Sequence, residues 1–113
     1  MKAFIHLFLL AVATSYFSCE SKQEHAKIPV GVLSSQKIEN YLYDLHLLEA
    51  KLQQSGIRQD TSTKLFLEME KDLLKLHKID SASLKKSLKF YSLNVELMDT
   101  IYSHLLKRGQ KEK

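Results

Sequence analysis

Cysteine, proline and glycine are scarce in this 113-residue chain, with one, one and three of each. A single thiol, Cys19, excludes an internal disulfide and a thiolate metal cluster. The three glycines, Gly31, Gly56 and Gly109, stand alone, so no glycine-rich loop exists to cradle a phosphate. With Pro29 the only proline, long stretches meet no helix breaker. No segment alternates apolar and polar residues with period two, which excludes a half-buried sheet. Glu-x-x-His, the repeated element of carboxylate-bridged dimetal bundles, is also missing.

The most informative residue present is Cys19 itself. It follows the positive Met1-Lys2 start, an apolar run from Ala3 to Phe17 and the small Ser18, which is the layout of a bacterial lipoprotein signal peptide. The run is about 15 residues, interrupted by His6 and Thr14, whereas a bilayer span needs roughly 20. The expectation is therefore a signal peptide over residues 1–18, with lipidation of Cys19 anchoring the chain to a membrane. Tyr16 and Phe17 depart from the commonest cleavage box. An uncleaved or ordinarily cleaved signal, and a cytosolic chain with a buried first helix, are the alternatives.

The charge is +4 with a pI near 9.1. Behind an export signal this basic excess points away from nucleic acid and toward anionic headgroups, an acidic partner or simply a solvated face. Cleavage leaves about 95 residues, enough for one small domain. Residues 19–27 read as a flexible tether, 28–108 as a helical domain and 109–113 as a basic tail.

Within the domain four helices are expected. The first spans Ser35 to Gln54, with Ile38, Tyr41, Leu42, Leu45, Leu48 and Leu52 on one stripe, Ser34 as cap, a Leu33–Ile38 staple and Gly56 as terminator. The second spans Thr61 to His77, capped by Asp60, with Phe66, Met69, Leu73 and Leu76 buried. The third begins after Asp80 or Ser81 and buries Leu84, Ser87, Leu88 and Tyr91. Asn94 breaks the chain and caps a fourth helix bearing Met98, Ile101, Tyr102 and Leu105, which frays into Lys107 to Lys113. The fold class is all-α, a small bundle of about four helices.

Ile28-Pro29 with Val32-Leu33, Asp44-Leu45-His46-Leu47-Leu48-Glu49-Ala50, His77-Lys78-Ile79-Asp80 and Leu84 through Tyr91 together resemble one family: the domain of unknown function 4296 family of small Bacteroidetes lipoproteins. The resemblance runs from about Ile28 to Leu106. It implies location and fold class, and it carries over no catalytic or binding residue. Lys78 departs from a common glycine, Leu84 from a common aromatic, and Asn94-Val95 from a proline that often opens the last helix.

Asp44, His46 and Glu49 are the sharpest polar group. His46 and Glu49, at i and i+3, share a helix face that would suit a metal; the plainer reading is a polar face pairing with lysines or a partner. Ser87 has no base nearby in sequence and reads as a small packing residue bonded back to a carbonyl rather than a nucleophile. Lys85, Lys86 and Lys89, with Lys75 and Lys78, gather near the second interhelix turn as a candidate contact for acidic lipid or as a solvated face. Tyr43 and Phe90 fall off the core stripes and are candidate partner contacts, with core packing the plainer alternative. The reading is a non-enzymatic, lipid-anchored module with no cofactor that contacts another envelope protein; a small-ligand or lipid-binding protein is the alternative. Glu20 after Cys19, and no adjacent acidic pair in Glu20 to Glu24, place it at the outer membrane facing the periplasm.

Overall fold

A computed structural model describes residues 27–112. Cys19, the signal peptide and most of the tether lie outside the described residues. Four helices follow one another: α1 (Ser35–Gln54), α2 (Gln59–Leu76), α3 (Ser81–Leu93) and α4 (Val95–Lys111). Among the described residues there is no strand. The all-α expectation holds.

Helix α1 begins and ends where its punctuation requires. Ser34 accepts a hydrogen bond from the Lys37 backbone N–H at 3.3 Å, satisfying one of the orphan donors of the first turn. At the other end Ser55 closes on the Leu52 carbonyl and Gly56 takes φ +67°, the left-handed region where a Cβ is costly. Ile38, Tyr41, Leu42 and Leu48 are buried on one side.

Helix α2 starts two residues earlier than the sequence suggests. Arg58 carries the extended backbone that precedes it, and Asp60 lies in the first turn instead of capping it. A carboxylate there still opposes the positive end of the helix dipole, so sequence cannot separate the two placements. The helix ends at Leu76, with His77 as its C-cap. Its inward stripe is also rotated from the expected one: Met69 and Leu76 are exposed, while Phe66, Glu70, Leu73 and Leu74 are half-buried. The rotation has a polar cause. Tyr41 donates to Glu70 Oε1 at 3.3 Å and His77 Nε2 meets Asp44 Oδ2 at 2.8 Å, so two polar residues occupy the α1–α2 seam. Burial first, then the Glu70 carboxylate, pushes the Tyr41 phenol up to about 12, which keeps it a donor.

The turn from α2 to α3 is a Schellman motif. The Lys78 N–H bonds the Lys75 carbonyl and the Ile79 N–H reaches back to Leu74, with buried Ile79 in the core and Leu74 packed against it. The geometry requires a left-handed residue, and Lys78 supplies it at φ +52°. This explains why glycine suits the position. Lys78→Gly is expected to raise stability by about 0.5–1 kcal/mol, the relief of the left-handed strain less the added freedom of the unfolded chain. Urea midpoints would show it, with Lys78→Ala, which keeps a Cβ, giving no comparable gain.

Asp80 caps α3 by accepting from the Ser83 N–H at 2.8 Å. Hydrogen bonds from Ser83, its hydroxyl first and its backbone N–H next, hold the Asp80 carboxyl below its ordinary range. Asn94 separates α3 from α4, but its side chain does not cap α4. It donates backward to the Phe90 carbonyl at 2.7 Å and closes α3. Helix α4 continues to Lys111 instead of fraying from Lys107. Arg108 explains the extension: its guanidinium lies 3.8 Å from the Tyr43 ring centroid and donates to Asn40 Oδ1 at 3.1 Å, tying the last turns to α1.

The core joins Ile38, Tyr41 and Leu42 of α1, Ile79 of the turn, Leu84 and Tyr91 of α3, and Ile101 and Leu105 of α4. Helix α2 packs on the outside of α1 and buries no residue fully. An N-terminal strap completes the domain. Pro29 to Val32 form a turn closed by the Val32 N–H on the Pro29 carbonyl, with Gly31 at φ +80°. Leu33 is then gripped from α3: its N–H donates to Ser87 Oγ and its carbonyl accepts from the Tyr91 hydroxyl, both at 2.8 Å. Ser87 is fully buried and donates in turn to the Ser83 carbonyl at 2.6 Å. Ser87 is thus a packing residue bonded back to a carbonyl, and its hydroxyl also holds the strap.

Candidate functional site: an apolar groove between α1 and α4

Two leucine pairs build a concave surface between α1 and α4. In Leu47-Leu48 and Leu105-Leu106 the helical twist sends one member inward and its neighbour about 100° around the helix. Leu48 and Leu105 are buried; Leu47 is 41% exposed and Leu106 68%. Between them lies a groove of about 580 Å³, floored by Leu105 and flanked by Tyr43, His46, Leu47, Tyr102 and Leu106. Ala50 and Gly109 also line it, and neither carries more than a methyl group. A smaller hollow of about 400 Å³ lies between the end of α1 and the start of α2, against Leu52, Ile57 and Phe66.

The groove has a polar rim at each end. His46 Nδ1 meets Glu49 Oε2 at 2.9 Å, and the His46 ring sits 6.2 Å from that of Tyr102, so the imidazole closes one end. At the other, the Tyr43 hydroxyl bonds Glu112 while Arg108 covers its ring. The Glu112 carboxylate pushes the Tyr43 phenol up. The middle is apolar and open to solvent along its length.

The structure divides the residues that the sequence singles out. Asp44 does not join His46 and Glu49; it turns to the opposite seam and bonds His77, whose ring also meets Tyr41 edge-on at 5.9 Å. The i, i+3 pair remains alone, and among the described residues no three His, Cys, Asp or Glu side chains gather as a metal site. Tyr43 stands at the groove. Phe90 does not form an exposed patch: it is half-buried, packs edge-on to Tyr91 at 5.2 Å and belongs to the margin of the core. Lys85, Lys86 and Lys89 are exposed on α3, with Lys86 Nζ donating to the Val30 carbonyl at 2.7 Å. Lys75 instead pairs with Asp72. Leu47 and Leu106 carry the groove and are visible in the sequence only as the off-stripe members of doubled leucines, Leu47 before its buried partner and Leu106 after it.

The strap, the helices and both groove walls fall inside one family match, Domain of unknown function (DUF4296), over residues 29–113. The chain belongs to this family. No curated protein and no solved structure matches it. In DUF4296 terms the matched region begins at Pro29, the first residue of the strap turn, so the strap is part of the domain and not of the tether. The Leu33 clamp and the α1–α4 groove are thus features of a DUF4296 domain as this sequence builds it.

Proposed function

We propose that this DUF4296 protein is a non-catalytic, lipid-anchored module of the cell envelope that docks an apolar helical segment of another envelope protein in the α1–α4 groove. The groove carries the proposal. An apolar trough between two helices is the receiving half of helix-in-groove recognition, where a partner helix supplies the missing wall. The anchor comes from the sequence: Cys19 at the end of the signal layout, acylated and held at the outer membrane facing the periplasm. The resemblance to small Bacteroidetes lipoproteins supports the same placement.

A small apolar ligand, such as a lipid chain, is the second reading, because 580 Å³ falls within the range of ligand pockets. Openness argues against it. Such pockets bury roughly 70–90% of their ligand, whereas the walls here, Leu47, Tyr102 and Leu106, are 41–68% exposed and would leave one side of a chain in water.

Photo-crosslinking in cells separates the two. A photoreactive residue at position 106 is expected to give one discrete protein adduct, and the same probe at exposed Leu67 of α2 none. Leu47→Asp is expected to weaken that adduct about tenfold while changing stability by only about 0.5 kcal/mol, since the site is on the surface. Lipid adducts alone at position 106 would replace this reading with the second; equal labelling from 67 and 106 would remove the groove from either.

A further inference from the structure

Helix α3 differs from the other three in charge. Between Ser81 and Leu93 it has no acidic residue, while α1, α2 and α4 each carry at least two. Lys85, Lys86 and Lys89 lie on its outer side, all exposed, and none is in an ion pair among the described residues. Ala82, also exposed, lies on the same side of the helix about one turn before Lys85 and Lys86.

The same helix receives the chain from the tether. Lys86 Nζ holds the Val30 carbonyl at 2.7 Å, and a Cβ on Gly31 would come within 3.1 Å of that nitrogen, so the strap turn lies directly under the lysine. One turn deeper Ser87 and Tyr91 fix Leu33. Val30 is 94% exposed at the tip of the turn, and Lys27 and Ile28 are exposed beside it. The chain therefore leaves the domain from its most uniformly cationic side. From Cys19 to Lys27 the backbone can span at most about 30 Å.

From these two observations we infer that the α3 face, Lys85, Lys86 and Lys89 with Lys27 and the Val30 tip, is the surface this domain lays on an anionic lipid bilayer. The inference rests on the acylated Cys19 of the proposed function. A short tether that emerges at α3 keeps this face at high effective concentration near the headgroups. There the lysines enter the screening layer of about 8–10 Å in which anionic lipid attracts them. Val30 meets the headgroup region first. The α1–α4 groove, on different helix faces, stays available to a partner.

The test uses the mature acylated protein in vesicles. Acylation occupies the Cys19 sulfur, so an introduced cysteine is a unique labelling handle. A fluorophore on Ala82→Cys is expected to lose accessibility to acrylamide at least about threefold between neutral phosphatidylcholine vesicles and vesicles with one-third phosphatidylglycerol, and to regain it in 0.5 M salt. The same fluorophore on Glu68→Cys of α2 is expected not to respond. Lys85→Glu with Lys89→Glu, which spare the Lys86 contact to the strap, are expected to shift the face-down population at least about 30-fold toward detachment, the equivalent of two lysines at about 1 kcal/mol each. Unchanged circular dichroism of that variant separates detachment from unfolding. An acylated protein whose Ala82 label responds no more than its Glu68 label, or responds equally on neutral vesicles, overturns the face. A mature protein whose mass lacks acyl chains overturns the anchor instead.

Discussion

Replacing Tyr91 with alanine is expected to leave the domain largely unfolded at room temperature. Tyr91 is 0% exposed and sits among the core residues of α1, α3 and α4. Truncating a buried aromatic costs about 3–5 kcal/mol through lost transfer energy and the cavity left behind. The hydroxyl adds a separate loss, because it is the donor to the Leu33 carbonyl, and an orphaned buried acceptor costs about 1–3 kcal/mol. A domain of about 80 residues has only about 4–12 kcal/mol of total stability, so the sum removes most of it. Burial pushes the Tyr91 phenol up, which keeps it protonated and donating at neutral pH.

Tyr91→Phe divides the effect. It keeps the ring against Phe90 and the core but abandons Leu33, and a loss of about 1–2 kcal/mol corresponds to a fall of about 5–15 °C in the melting midpoint for a domain this size. Circular dichroism of the full chain would rank the wild type, the phenylalanine variant and the alanine variant in that order. A phenylalanine variant as stable as wild type would mean that the strap bond contributes nothing. A phenylalanine variant as unfolded as the alanine variant would mean that the strap, and not the ring, holds the core together.

What the sequence disclosed follows from how local each signal is. The limits of α1 were legible in full because Ser34 and Gly56 act on their own neighbours, and the Asp80 cap of α3 for the same reason. The strap clamp was not legible, because Leu33 meets Ser87 and Tyr91 across 54 and 58 positions and no periodicity links them. The α2 stripe differs from its apolar pattern because apolar counting passes over Glu70 and His77, which face inward through their polar ends. Much the same applies to the candidate site. Tyr43, off the stripe, and His46, polar, do border the groove, whereas Asp44, only one and two positions away, turns to the opposite seam. Phe90, off its stripe by the same count, is drawn to the core margin by Tyr91. Being off the stripe marks a residue as free to do something else without saying which neighbour will take it up.

Cys19→Ala is the change with the largest expected consequence for location, and it leaves the fold alone. Cys19 lies outside the described residues, eight positions before Lys27, and among the described residues the domain's hydrogen bonds begin at the strap turn. The variant is expected to accumulate as an unprocessed precursor without acyl chains, with an unchanged melting midpoint for the domain. Each methylene of a buried chain contributes about 0.8 kcal/mol, so one acyl chain holds a protein only reversibly and two hold it firmly. Four exposed lysines, at about 1 kcal/mol each, would not replace that anchor. On the proposed reading the lysines would set how the domain lies and the lipid whether it stays, which predicts different responses to salt. Wild-type protein should remain in the membrane fraction in 1 M salt while its α3 face lifts off. A matured, acyl-free domain released by cleaving the tether should leave the membrane fraction altogether. A Cys19→Ala protein with the mature mass of wild type, acyl chains included, would refute lipidation at this cysteine and with it the division of labour between tether and face.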